Sequence, residues 1–168
     1  MFGAPGEILF RTNENVFIHR VREDGTGVRR EIDQPAEFLG LSPDARLLVA
    51  NVHGRGSIAY PVDGGTPVHI WGRDMRVRWS SDSRSVFMSF SNSGQTLYGG
   101  GRTYVIPLAP GRLLPDIPPG GFRSEAEIAK LPGVRVIEAA DVAPGPTGDI
   151  YAFSRITTQR NLYRIPIP

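Results

Sequence analysis

Leu41-Ser42-Pro43-Asp44-Ala45-Arg46-Leu47-Leu48-Val49-Ala50 sets a tight turn between two β-forming runs. An apolar run ends at Leu41, a Ser-Pro-Asp turn follows, and a β-forming run starts at Leu47. Proline presets φ at the second turn position, and the Asp side chain can hydrogen-bond its own backbone two residues on. The same logic recurs at Trp79-Ser80-Ser81-Asp82-Ser83-Arg84, where Val86 stands 38 residues after Leu48. Working outward, Glu7-Ile8-Leu9-Phe10 precedes at an offset of 40 (Ile8 to Leu48), and Asp149-Ile150-Tyr151-Ala152 follows at 64 (Val86 to Ile150). A second motif trails each of these four: Val16–Val21, Ser57–Val62, Thr103–Leu108 and Leu162–Ile167. A repeat near 40 residues built only of short strands is the signature of propeller blades.

The expected fold is therefore all-β: a partial β-propeller of about four four-stranded blades, with one short helix in an insertion at 118–133. The expected units are an incomplete blade one over 7–33, blade two over 36–71, blade three over 74–117, the helical insertion, and an incomplete blade four over 134–168. Gly54-Arg55-Gly56 and Asp63-Gly64-Gly65 are predicted hairpin turns in blade two, and Glu23-Asp24-Gly25-Thr26-Gly27 one in blade one. In the insertion, Ser124 with Glu127 fits a capping box and Pro132-Gly133 stops the run, which predicts a two-turn helix pinned by Ile128 and Leu131. Few residues precede Glu7 and the chain ends on a third-strand motif, so the pattern predicts a piece of a larger ring.

Composition bounds the function classes. The 168 residues are 40% hydrophobic, with 20 Gly, 15 Pro and no Cys, which fits a turn-rich globular protein and excludes disulfides and thiolate metal sites. No apolar run reaches membrane-spanning length, so no membrane span is expected. Met1 is followed by no secretory signal; the compartment is open, and cytoplasmic if Met1 is the true start. All basic residues but Lys130 are Arg, yet the net charge is only +2, so the expected surface is solvated and Arg-rich and nucleic acid is not favoured. Arg20, Arg22, Arg29 and Arg30 belong to that expectation.

Chemistry-bearing patterns are sparse. His19, His53 and His69 fall on or beside predicted strands without metal-ligand spacing, so neither a metal site nor a cofactor is expected. No Gly-x-Ser-x-Gly elbow is present, and Gly99-Gly100-Gly101 joins two strands instead of opening a helix, so it reads as a hairpin tip and not a phosphate cradle. Asp44 and Asp82 recur at one repeat position, which turn chemistry explains better than paired catalysis. No catalytic residue is predicted. The candidate ligand- or partner-binding residues are Arg76, Arg78, Trp79 and Arg102; Arg76 and Arg78, two apart on a strand, share a face.

The Ser-Pro-Asp turn before Leu47-Leu48-Val49-Ala50, with Asp63-Gly64-Gly65-Thr66-Pro67 some twenty residues on, resembles the PD-type, WD40-like repeat. That repeat is known from the Tol-system (TolB-like) propeller and from propellers attached to prolyl-oligopeptidase-like enzymes. The family usually has Gly where Ala45 and Ser83 stand here. The closing run 152–166 is similar to the C-terminal end of bacterial multi-domain proteins that carry such propellers. What the resemblance implies is a non-catalytic binding or scaffold module for a protein or peptide, or for the remaining blades of the same ring. If the chain is complete, an isolated arc must oligomerise or expose its edges. Two alternatives stand beside it: the gating propeller of a hydrolase whose catalytic domain is elsewhere, and a carbohydrate enzyme. The second needs paired central carboxylates, for which the inner strands offer Glu37 and Glu138 beside Arg76 and Arg78.

Overall fold

The computed structural model describes residues 6–12, 16–91 and 100–154. It is all-β, with one short helix and four antiparallel sheets in chain order. The first sheet holds β1 (Glu7–Arg11), β2 (Ile18–Arg22) and β3 (Arg29–Arg30). The second is the four-stranded meander β4 (Ala36–Leu41), β5 (Leu47–Val52), β6 (Gly56–Pro61) and β7 (Val68–Trp71). The third begins with β8 (Arg76–Trp79), β9 (Ser85–Ser91) and β10 (Gly101–Pro107). After the helix α1 (Glu125–Ala129) come β11 (Arg135–Ile137), β12 (Ala143–Pro144) and β13 (Tyr151–Ala152), of which the last two pair with each other.

The two Asp turns are the same object built twice. In the second sheet the Ser42 hydroxyl donates to Asp44 Oδ1 (2.6 Å) and accepts the Leu47 N–H (2.9 Å), while Asp44 Oδ1 also takes the Arg46 N–H (3.1 Å). In the third sheet Ser80, Asp82, Arg84 and Ser85 make the same three bonds at 2.6, 3.0 and 3.0 Å. Ala45 and Ser83 close the turns at φ of 57° and 58°, the left-handed region that usually favours glycine. Local chemistry fixed by the 38-residue repeat thus sets two identical strand connections.

Strand pairing shifts the last alignment by one residue. Leu41 pairs with Leu48, Trp79 with Val86 and Pro144 with Tyr151, so the fourth unit matches Val86 to Tyr151 and not to Ile150. The Gly145 N–H to Ile150 O bond (2.7 Å) occupies the place of Ser42 N–H to Leu47 O and Ser80 N–H to Ser85 O.

A second correction concerns the insertion. β11 pairs with the far side of β10 (Tyr104 opposite Val136), so the third sheet gets its fourth strand from Arg135–Ile137, past the helix. The third unit therefore runs beyond the expected limit at 117, and the helical segment is a loop within it. Arg112-Leu113-Leu114 makes no strand; its leucines pack on the core, and Leu113 O accepts the Trp79 indole N–H at 2.7 Å. The helix is shorter than expected. Ser124 makes no side-chain cap bond, and Glu127 instead accepts the Arg123 N–H at 2.9 Å. Buried Ile128 and the Tyr104 hydroxyl bond to Glu125 (2.8 Å) hold it to the third sheet. The expected strand Leu162–Ile167 and most of the 91–101 hairpin tip lie outside the described residues.

Alternating residues of β5 bury opposite faces of the second sheet, so it is covered on both sides. Leu48, Ala50 and Val52 pack against Leu9, Ile18 and Ile32 of the first unit. Leu47 and Val49 pack with Val77, Met88 and Ile106 of the third sheet. Beyond it, Phe87 and Val105 meet Val142 ahead of β12. The first strands of the second, third and fourth sheets lie side by side, β4 on β8 and β8 on β12. At Gly40, beside a β-bulge, the backbones come so close that a Cβ would overlap the Val77 carbonyl oxygen. Only glycine permits that approach.

Candidate functional site: a cleft along the first strands

The neighbouring first strands open a cleft of about 300 Å³. β4 contributes Glu37, Phe38 and Leu39; the approach to β8 contributes Asp74 and Met75; β8 itself contributes Arg76 and Arg78; and Phe90 and Asp141 close it. Strand alternation explains the arrangement. Val77 and Trp79 turn into the core, which leaves Arg76 and Arg78 on the cleft face, each with 39% of its side chain exposed.

Register gives the cleft its logic. Glu37 is opposite Asn51, and Arg76 opposite Ser89, which is the residue 38 places after Asn51. The bulge in β4 absorbs the extra residue, so Glu37 and Arg76 occupy one structural position. Asp141 lies two residues before Ala143, as Arg76 lies two before Arg78, and Ala143 and Arg78 are register equivalents. Glu37 and Arg76 thus occupy one position of neighbouring sheets, and Asp141, just ahead of β12, lines the cleft beside them.

These charges are partly matched. Asp141 Oδ1 lies 2.6 Å from Arg76 Nη1 and 3.1 Å from Arg78 Nη2. Arg78 Nη1 also donates to the Val142 carbonyl at 3.3 Å. Asp141 adopts φ 57°, a left-handed conformation that aspartate tolerates better than most residues. Glu37 faces Arg11 of the first sheet at 3.8 Å, and Asp74 accepts from the Asn51 side-chain amide. Two guanidiniums and three carboxylates rim an apolar floor of Phe38, Leu39, Met75 and Phe90.

Of the four residues singled out from sequence, Arg76 and Arg78 come together here. Trp79 does not: its ring lies in the core between the second and third sheets and is 7% exposed. Arg102 lies on β10, away from the cleft lining, paired with Glu138 at 3.1 Å. The Glu138 hydrogen bond, and then its charge, hold the Arg102 guanidinium above its ordinary pKa. Glu138 follows β11, so it is no inner-strand carboxylate. Sequence reasoning missed Asp74, Asp141 and the apolar floor; the signal for Asp141 was the repeat itself, hidden by the one-residue misalignment.

A correction also applies to Arg20, which was expected on the solvated surface. It is 5% exposed and donates to Glu31 (2.6 and 2.9 Å), Glu7 (2.8 Å) and the Val62 carbonyl (3.3 Å). It joins the first sheet to the second.

Ser89 shares its hydroxyl with Thr103 (2.7 Å), which in turn donates to Ala139 O (2.8 Å), so no base is within that chain to activate it. Each cleft carboxylate already faces a cation or an amide. Among the described residues, no three His, Asp or Glu side chains converge as metal ligands, and no helix is long and apolar enough to cross a membrane. No family model matches the chain, and no curated protein matches it either.

Proposed function

We propose that this chain is part of a β-propeller of the PD-type, WD40-like kind, and that it is a non-catalytic module whose first-strand cleft binds a protein or peptide segment. The observation that carries the reading is the convergence of register-equivalent Glu37 and Arg76, with Asp141, on one cleft. In a propeller the first strand of each blade faces the central axis, so such a position lines the shared mouth. The repeated Asp turns and the side-by-side packing of β4, β8 and β12 support that geometry. Arginine, methionine and aromatic side chains around a partly charged rim are the composition of protein interfaces, and they suit a peptide better than a small anion.

A displayed library of random linear peptides provides the test, with bound sequences resynthesised and measured in solution. Peptides that bind the wild-type chain and lose at least about tenfold in affinity to an Arg76→Gln/Arg78→Gln variant support the reading, since a desolvated charged contact is worth about 1.5–3 kcal/mol. An Arg102→Gln variant keeps full affinity. Selected peptides indifferent to the β8 pair, or turnover that depends on a serine or histidine of this chain, overturn it.

A further inference from the structure

His69 on β7 holds a position that only one protonation state satisfies. Its Nδ1 is 2.8 Å from the Gly120 carbonyl oxygen and its Nε2 is 2.9 Å from the Arg55 carbonyl oxygen. Both partners can only accept a hydrogen bond. A neutral imidazole has one N–H, so one carbonyl would face a bare nitrogen lone pair. The imidazolium donates at both nitrogens.

The two carbonyls belong to separate parts of the molecule. Arg55 sits at the tip of the β5–β6 hairpin, while Gly120 belongs to the segment that leaves the third sheet after β10. That segment crosses to the outer edge of the second sheet. The Phe122 N–H donates to Ile70 O at 2.9 Å, and Trp71 and Phe122 form a parallel bridge. Gly121, at φ 88°, lies against His69 and Ile70 so closely that a Cβ there would overlap both. One imidazole therefore joins β7, its own hairpin and a strap from the neighbouring sheet.

We propose that His69 is an acid-tightened latch: its charged form clamps the Pro118–Phe122 strap onto the second sheet, and its neutral form loosens it. The charged and titratable neighbours are identified. Glu31 and Asp33, from the β3–β4 connection, Arg55, and Tyr60 of β6 line the same pocket as His69. Glu31 is bound by Arg20, and the Arg55 guanidinium donates to Gln34 at 3.2 Å. Burial raises the Tyr60 phenol above its ordinary value. Residues 118–121 of the strap, Pro-Pro-Gly-Gly, carry no ionisable side chain, and Arg123 follows Phe122. Carboxylates, phenols and guanidiniums keep their charge state between about pH 5 and 8, where imidazoles change theirs.

Amide hydrogen exchange and imidazole nitrogen NMR on the full chain test this together. Protection of the Phe122 amide, corrected for intrinsic exchange, is expected to fall about tenfold from about pH 5.5 to pH 8, as one charge-assisted bond is lost. In a His69→Gln variant that dependence disappears. In the wild-type protein at about pH 5.5, both His69 ring nitrogens are expected to be protonated while Phe122 is protected, a readout that stands even if the variant fails to fold. Protection that ignores pH in the wild type overturns the latch. So does the same dependence in His69→Gln, or one bare His69 nitrogen beside a protected Phe122 under acid conditions.

Discussion

Two junctions join the first three sheets, and they are made of different chemistry. Between the second and third sheets the contact is apolar: Leu47, Val49 and Ile70 meet Val77, Met88 and Ile106, and Gly40 lets β4 and β8 touch backbone to backbone. Between the first and second sheets a smaller apolar cluster is supplemented by a buried ion cluster, Arg20 with Glu7 and Glu31. The first junction is sensitive to volume. The second is sensitive to the loss of a charge partner, because a buried ion left alone has neither water nor a counter-ion.

The largest expected effect breaks the charged junction. Arg20→Ala leaves Glu31 without its partner and Glu7, 24% exposed, with only Arg29 at 3.9 Å, and should lower unfolding stability by about 3 kcal/mol in a urea titration, whereas an Arg20→Met/Glu7→Gln/Glu31→Gln replacement should cost markedly less. A single-to-triple difference near zero would mean that the cluster contributes nothing special. At the apolar junction, Gly40→Ala forces a methyl against the Val77 carbonyl and should cost about 1–3 kcal/mol, with the damage seen at β4 and β8. If Gly40→Ala is silent, the close approach of those strands is not as described.

Smaller effects compare the two turns. Ser42→Ala and Ser80→Ala each remove a buried hydroxyl that organises the same three bonds, so each should cost about 1–2 kcal/mol, and the two costs should agree closely. The Ser80 hydroxyl, and then the Arg84 N–H, hold the Asp82 carboxyl below its ordinary 3.8. A carboxyl depressed on folding adds stability above its unfolded value, and that stability is lost as pH falls through the lower folded value. Ser80→Ala removes the largest cause of that depression, so the acid-dependent loss from this turn should shrink in a pH series. Smallest of all, Ala45→Gly and Ser83→Gly relieve left-handed strain of about 1–2 kcal/mol but add unfolded-chain entropy, and should leave stability unchanged or raise it by up to about 1 kcal/mol.

Much of this architecture was legible because turn chemistry is local. Ser42, Asp44, Ser80 and Asp82 carry their own hydrogen-bond partners within five residues, so a sequence pattern alone locates the turns. The strand supplied by Arg135–Ile137 was not legible, since pairing across a loop of about thirty residues depends on register that no local signal carries. Pro144 and Gly145 also blur the fourth turn, which is why its alignment slipped by one residue. At the cleft, alternation correctly placed Arg76 and Arg78 on one face. The same rule sends Trp79 inward, to the core. Arg20 reads as surface in any single-sequence view, because its two glutamates come from position 7 on β1 and position 31 just past β3.

Amide chemical-shift mapping with a selected peptide tests the proposal that the first-strand cleft is a binding surface. The expected result is a contiguous set of perturbed amides at Phe38, Leu39, Met75, Arg76, Arg78, Phe90 and Asp141, with the turns at Asp44 and Asp82 unmoved. Perturbations confined to those turns or to the outer edge at β7, with the β4 and β8 amides silent, would contradict it.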